Sequence, residues 1–203
     1  MIIWKTNNLV SKDLIDSISS DVKKDIRFFL KKENYYSTYF HFPTEERPER
    51  KLSSLYNDII RKGMKELGLL GRSDLEVFYW MQIYKKGGGG HGFHMHFTGQ
   101  EIISWVHFLR PSSKKCFYFM DSNGEMTYPH QNEGDFIMFP SWMMHGVNPN
   151  TDDEDRCVVA GNILAYKINS PLYSSFSYPV NDNSCMWETI NVDNIQKIEC
   201  KKN

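Results

Sequence analysis

Apolar positions along the chain change their spacing near Leu75. Before that point they recur three and four residues apart, the repeat of a helix with one buried face. Leu14, Ile15, Ile18, Val22, Ile26 and Phe29 predict a helix over residues 11–30. Ser11 is suited to cap its first turn, and Val10 to pack on Ile15 as a hydrophobic staple. Leu52, Leu55, Tyr56, Ile59, Ile60, Met64 and Leu67 predict a second helix over 50–67, ended by Gly68 or Gly71. A short apolar run at 2–5 reads as an edge strand. The charged, tyrosine-rich stretch 31–50, with Pro43 and Pro48, reads as a loop around a short strand near 37–42.

Beyond Leu75 short apolar or alternating runs are separated by turn residues, which predicts strands near 75–84, 92–97, 101–109, 115–120, 125–129, 134–139, 143–147 and 156–166. Asp121-Ser-Asn-Gly124 is the strongest hairpin signal among the turns. So many short strands, preceded by two one-faced helices, predict a mainly β fold with flanking helices. The expected architecture is a double-stranded β-helix, a jelly-roll or cupin-like barrel, buttressed by the two N-terminal helices. The chain reads as a single domain: a helical buttress over 1–73, a barrel core over 74–169 and a C-terminal extension over 170–203. The apolar run near Trp187–Ile190 is expected to pack back on the core.

Composition narrows the function classes. The 203 residues carry a formal net charge of -1, and the basic residues are scattered, so no nucleic-acid surface is evident. The first residues turn polar too early for a signal peptide, and no apolar run approaches a membrane span. Cys116, Cys157, Cys185 and Cys200 form no CxxC pair, which suits a reduced, cytoplasmic protein. A small molecule or peptide is the expected substrate; the oligomeric state is open, a homodimer being compatible.

The chemistry concentrates in histidines. His94 and His96 stand one residue apart on a predicted strand, so both project from one face. His145 follows the turn Pro140-Ser-Trp-Met-Met and returns a third imidazole from a distant strand. Three imidazoles suit a transition metal and leave coordination positions open. His91, three residues before His94, would point elsewhere on an extended strand and reads as rim. Gly87–Gly90 lacks the Lys-Ser/Thr of a phosphate loop and reads as a flexible rim loop. Glu101 is a candidate further ligand or a solvent-facing turn carboxylate.

At these residues the stretch Gly92 to Asn162 resembles a family of 2-oxoglutarate/Fe(II) oxygenases common in phage and marine bacteria. The shared features are the His-X-His strand, Ser104-Trp-Val-His-Phe108, the block from Gly134 to His145, Pro149-Asn150, Arg156 and Asn162. The resemblance implies a double-stranded β-helix that binds Fe(II) and 2-oxoglutarate and oxidises a substrate. It also implies that Arg156 anchors the far carboxylate of 2-oxoglutarate, which a guanidinium can grip through two hydrogen bonds. The other reading of Arg156 is a surface residue paired with Asp152, Asp153, Glu154 or Asp155. Tyr84 and Asn162 are further candidates for co-substrate binding, and Gln82, Trp105, His107, Trp142 and Tyr118 for lining the substrate space. One departure stands out: a histidine, His96, occupies the place where the wider superfamily has a carboxylate ligand. Gly88, His94, His96, Glu101, Gly134, Pro140 and His145 also resemble the two cupin motifs, although Phe108 and Trp142 stand where those motifs have glycines. A cupin-type metalloenzyme that does not use 2-oxoglutarate, and a non-enzymatic ligand-binding jelly roll, therefore remain as alternatives.

Overall fold

The computed structural model describes residues 2–168 apart from 42, 71–72, 98 and 113–114. Two antiparallel sheets face each other. The larger has seven strands in the order β1-β9-β6-β11-β4-β3-β2, formed by β1 (Trp4–Asn7), β9 (Asp135–Pro140), β6 (Glu101–Arg110), β11 (Arg156–Ile168), β4 (Ser73–Tyr84), β3 (Tyr35–Ser37) and β2 (Phe29–Leu30). The smaller has four, β5 (His91–His94), β10 (His145–Val147), β7 (Phe117–Met120) and β8 (Met126–Thr127), in the order β5-β10-β7-β8. The eight strands predicted beyond Leu75 are all present, and two helices, α1 (Lys12–Lys24) and α2 (Ser53–Glu66), cover the outer face of the large sheet.

Alternation of side chains divides the large sheet between two cores. Val77, Tyr79, Met81 and Ile83 of β4, Ile103, Trp105 and Leu109 of β6, and Cys157, Val159 and Ile163 of β11 pack against Ile15, Ile18 and Val22 of α1 and Tyr56, Ile59, Ile60 and Met64 of α2. Tyr84, Val106, Phe108, Ile137, Phe139 and Val158 point the other way and meet Phe117 and Phe119 of the small sheet. The helices thus bury the stripes that their sequences carry.

Local chemistry sets the boundaries. Ser11 caps α1 by accepting from the Leu14 amide at 3.4 Å. The helix predicted to run to residue 30 stops at Lys24, because the Asp25 carboxylate accepts from the Arg27 amide at 2.9 Å and starts a single 3-10 turn, Ile26–Phe28. Ile26 is consequently 75% exposed, outside the stripe to which its spacing assigns it. The strand expected near 37–42 sits slightly earlier, at Tyr35–Ser37, paired with Phe29–Leu30 on one side and β4 on the other. Gly68, at φ +67°, ends α2: its amide reaches Lys65 O at 3.0 Å and the Leu69 amide reaches Met64 O at 2.9 Å, the closing pattern of a Schellman motif. At the predicted hairpin, Asp121 Oδ1 accepts from the Asn123 and Glu125 amides, and Gly124 takes φ +81°. The extension 170–203, with its run near Trp187–Ile190, lies outside the described residues. Among the described residues no helix is long and apolar enough to cross a membrane.

Gly161 on β11 is closely approached by its neighbouring strands. A Cβ there would stand 2.5 Å from the Trp105 ring and 2.6 Å from the Phe78 carbonyl oxygen. Gly161→Ala is therefore expected to destabilise the fold by about 1–3 kcal/mol through overpacking. Chemical denaturation of the two proteins measures it; an unchanged midpoint would mean that Trp105 has room to move.

Candidate metal centre and co-substrate pocket

Pairing of β5 with β10 builds the centre. His94 and His145 are direct Cα partners across that ladder. His96 lies two residues past His94, where its amide donates to Ser141 O at 2.9 Å and holds the departing chain against the turn before His145. That turn is closed by the Met143 amide on Pro140 O, at 3.0 Å. The predicted trio meets: one nitrogen from each of His94, His96 and His145 lies within 4.8 Å of the others.

Each ring is oriented from behind. His94 Nδ1 is 2.8 Å from Gly92 O and His145 Nδ1 is 2.8 Å from Met143 O. Carbonyl oxygens only accept, so both Nδ1 atoms carry the proton and both Nε2 lone pairs face inward. His96 Nδ1 donates to Asn162 Oδ1 at 2.7 Å, and the same oxygen accepts from Ser104 Oγ at 2.9 Å. Burial keeps the rings neutral. It lowers His94 and, together with the neighbouring imidazoles, brings His96 down to about 4 and His145 to about 3.

These residues fit a divalent transition metal. His94 Nε2 and His96 Nε2 are 2.9 Å apart with lone pairs converging, an arrangement that is repulsive until a cation lies between them. Two nitrogens each about 2.1 Å from one ion and at right angles to each other are separated by about 3.0 Å, in agreement with that spacing. The hydrogen bonds from behind are the outer partners that metal-binding histidines require. Glu101 does not join this cluster. It is buried in the same cavity wall, where its charge opposes the lowering of the His96 pKa.

The centre opens into a cavity of about 600 Å³ between the two sheets. Arg156 lines it, only 3% exposed, opposite Tyr84 across the β4–β11 ladder. Its guanidinium lies 4.3 Å over the Tyr84 ring, donates to Ser112 Oγ at 3.3 Å and Asn148 O at 3.1 Å, and leaves Nε buried without a partner. The surface-pairing alternative does not describe it. Asp155 pairs with Lys23, Asp153 pairs with Lys86 at 2.6 Å, and among the described residues no carboxylate pairs with Arg156. Tyr84 is fully buried, and that burial raises its phenol, leaving a neutral hydroxyl that donates to Gln82 Oε1 at 2.9 Å. Gln82 lines the cavity as expected.

Of the other candidates, Trp105 borders the cavity but packs its ring among the helix-side aromatics. Trp105 and His107 belong to the odd positions of β6, which face the helices. The Trp105 ring packs on Tyr56 and Phe136, and His107 lies between the Tyr56 hydroxyl and Asn8 O, its pKa lowered to about 4 by burial. Trp142 is 57% exposed on the outside of the turn, and Tyr118 packs over Gly146 and Tyr128, away from the lining. Asn162 reaches the cavity, but its oxygen is occupied in orienting His96. His91, expected at the rim, stacks on His94 with ring centroids 4.3 Å apart. A register shift between His145 and Val147 sets two steps of β10 against three of β5, so His91 turns to the face from which strict alternation would exclude it. The chain pattern did not single out Trp80, whose ring centroid is 5.6 Å from that of His96, or Tyr39 packed on it at 4.8 Å. Trp80 shares parity with Gln82 and Tyr84, which was the available signal; Tyr39 follows a strand too short to give one.

Two outcomes follow from these orientations. Asn162→Ala should weaken divalent-metal affinity by about 10–100-fold without removing a ligand, as metal titration would record; unchanged affinity would mean that His96 needs no brace. The second concerns pH. Because burial holds the folded pKa values of His96, His107 and His145 below the ordinary imidazole value of 6.5, the unfolded chain binds more protons than the folded chain beneath that pH. Stability of the metal-free protein should therefore hold above about pH 6.5 and fall steadily as the pH drops toward 4. Denaturation midpoints measured across that range check it; a midpoint that rises on acidification would contradict it.

Comparison with known proteins adds three findings. The family model "Putative 2OG-Fe(II) oxygenase" matches residues 117–162. No curated protein matches the sequence. Among solved structures, a 2OG-Fe(II) oxygenase family oxidoreductase from Burkholderia pseudomallei superposes with a TM-score of 0.59 at 11% identity, over 79% of this chain and 82% of that one. A prolyl-4-hydroxylase from Pseudomonas putida gives 0.54 at 14% identity over 81% and 92%, and a Trichoplax adhaerens prolyl hydroxylase, solved with a peptide fragment of hypoxia inducible factor, gives 0.55 at 12% over 80% and 83%. The family match runs from β7 through His145 and Arg156 to Asn162. Over residues 117–162 the chain is similar to the 2OG-Fe(II) oxygenases, and it shares the barrel fold of these solved structures.

Proposed function

We propose that this chain is an Fe(II)/2-oxoglutarate-dependent dioxygenase that hydroxylates a small-molecule or peptide substrate. Arg156 is the observation that carries the reading. A guanidinium so deeply buried, without a carboxylate among the described residues, leaves a charge for a ligand to meet. The dicarboxylate co-substrate supplies that partner: its far carboxylate would meet Arg156, and its keto-acid end would turn toward the three imidazoles. Tyr84 stacks under the guanidinium and fixes its plane. His94, His96 and His145 would hold the iron, which supplies the activation of dioxygen. In the overall reaction one oxygen atom enters a substrate C–H bond, and the other enters succinate as 2-oxoglutarate loses carbon dioxide.

The chain's own share is positioning and exclusion of water. Val106, Phe108, Phe117, Phe139 and Val158 make the wall apolar, which strengthens the charge-assisted contact at Arg156. Cys116 and Cys157 are buried thiols outside any disulfide, which suits a reducing compartment such as the cytoplasm.

Titrating 2-oxoglutarate into iron-loaded protein under anaerobic conditions tests the proposal. Arg156→Ala should cost about 2–5 kcal/mol of co-substrate binding, roughly tens- to thousands-fold in affinity, while iron binding stays near wild type. Failure of the wild type to bind 2-oxoglutarate would favour a cupin-type metalloenzyme instead. Equal affinity in the two proteins would assign the anchor to another residue.

A further inference from the structure

The cavity distributes its charge unevenly. Among the described residues, Glu33, Glu101 and Arg156 are the charged residues on its lining. In the function proposed above, 2-oxoglutarate neutralises Arg156. The side chains left for a substrate are then carboxylates and aromatic rings, with no basic residue among the described ones. An anionic substrate would find no basic side chain there to replace its hydration.

The rings gather beside the metal centre. Tyr39 packs edge-on to Trp80, with centroids 4.8 Å apart, and Phe40 packs edge-on to Tyr39 at the same distance. Trp80 adjoins His96, and Phe40 is 69% exposed at the mouth. The corner is braced from outside the lining: Arg47 donates to the carbonyls of His41, Tyr79 and Tyr39, and rests 4.8 Å over Phe78. Glu101, almost wholly buried, contributes to the same wall, and its charge is felt at both His96 and Tyr39. Electron-rich ring faces next to a carboxylate in a partly desolvated recess are suited to a positive charge.

We propose that the substrate is a cation, an aliphatic group ending in an ammonium or guanidinium. Its charge sits in the corner of Tyr39, Phe40 and Trp80 against Glu101, and its hydrocarbon part runs toward the three imidazoles. Seating the charge beside His96 sets which carbon lies at the centre.

Choline and its neutral isostere 3,3-dimethylbutan-1-ol separate charge from shape, and a quaternary ammonium cannot ligate the metal. Each is titrated by calorimetry into full-length protein loaded with Mn(II) and 2-oxoglutarate. Choline is expected to bind at least about tenfold more tightly than the alcohol. Glu101→Gln and Tyr39→Leu should each reduce that preference, with circular dichroism reporting that both variants remain folded. Equal binding of the two compounds, binding of neither, or a preference untouched in both variants overturns the inference. The 2-oxoglutarate titration distinguishes the two proposals. If the co-substrate binds and choline has no advantage, only the cationic substrate fails. If choline is preferred and 2-oxoglutarate does not bind, the cation site stands and the oxygenase reading fails.

Discussion

Everything in this molecule depends on the large sheet having two faces with opposite tasks. Alternation along β4, β6 and β11 sends one set of side chains to the helices and the other to the cavity. The helix side is filled with Ile, Val, Met and aromatic rings, which anchor the strands without reaching the site. The cavity side can therefore carry groups that a core would reject: Gln82 and Tyr84 on β4, Ser104 on β6, Arg156 and Asn162 on β11. A one-residue slip of β11 would place Arg156 among helix-facing hydrocarbon and Cys157 in the cavity. The same apolar packing that stabilises the barrel thus fixes where its charges stand.

Burial then does opposite things to the two kinds of polar group in the cavity. It strips protons from the imidazoles, so that at neutral pH they are lone-pair donors converging on one point. A guanidinium cannot respond in that way, so Arg156 stays charged in an apolar wall. The converging imidazoles and the buried guanidinium arise from one physical cause acting on side chains of different basicity. The Ser104–Asn162–His96 chain ties the large sheet to the edge of the small one, so the centre depends on both sheets being assembled.

Much of this was legible in the residues. The spacing change at Leu75 separates buttress from barrel, and His94, His96 and His145 are readable because a His-X-His pair needs only strand alternation to share a face. Arg156 could be singled out by its place after the third histidine, although whether it was buried could not. Local spacing determines these features through interactions within a few residues. The tertiary structure alone decided the rest. His91 joins the site through a bulge, which arises from the β5–β10 pairing and has no mark in sequence. His107 is excluded, and the Trp105 ring is drawn to the helix side, because parity fixes which residues go together on β6, while only packing against α2 decides which set faces inward. Trp80 and Tyr39 meet because the β3 hairpin joins the edge of β4, a contact between segments some forty residues apart in the chain. Sequence sets the periodicity of each element; the face that looks into the cavity, and the partners met there, are set by long-range packing whose energy no single segment contains.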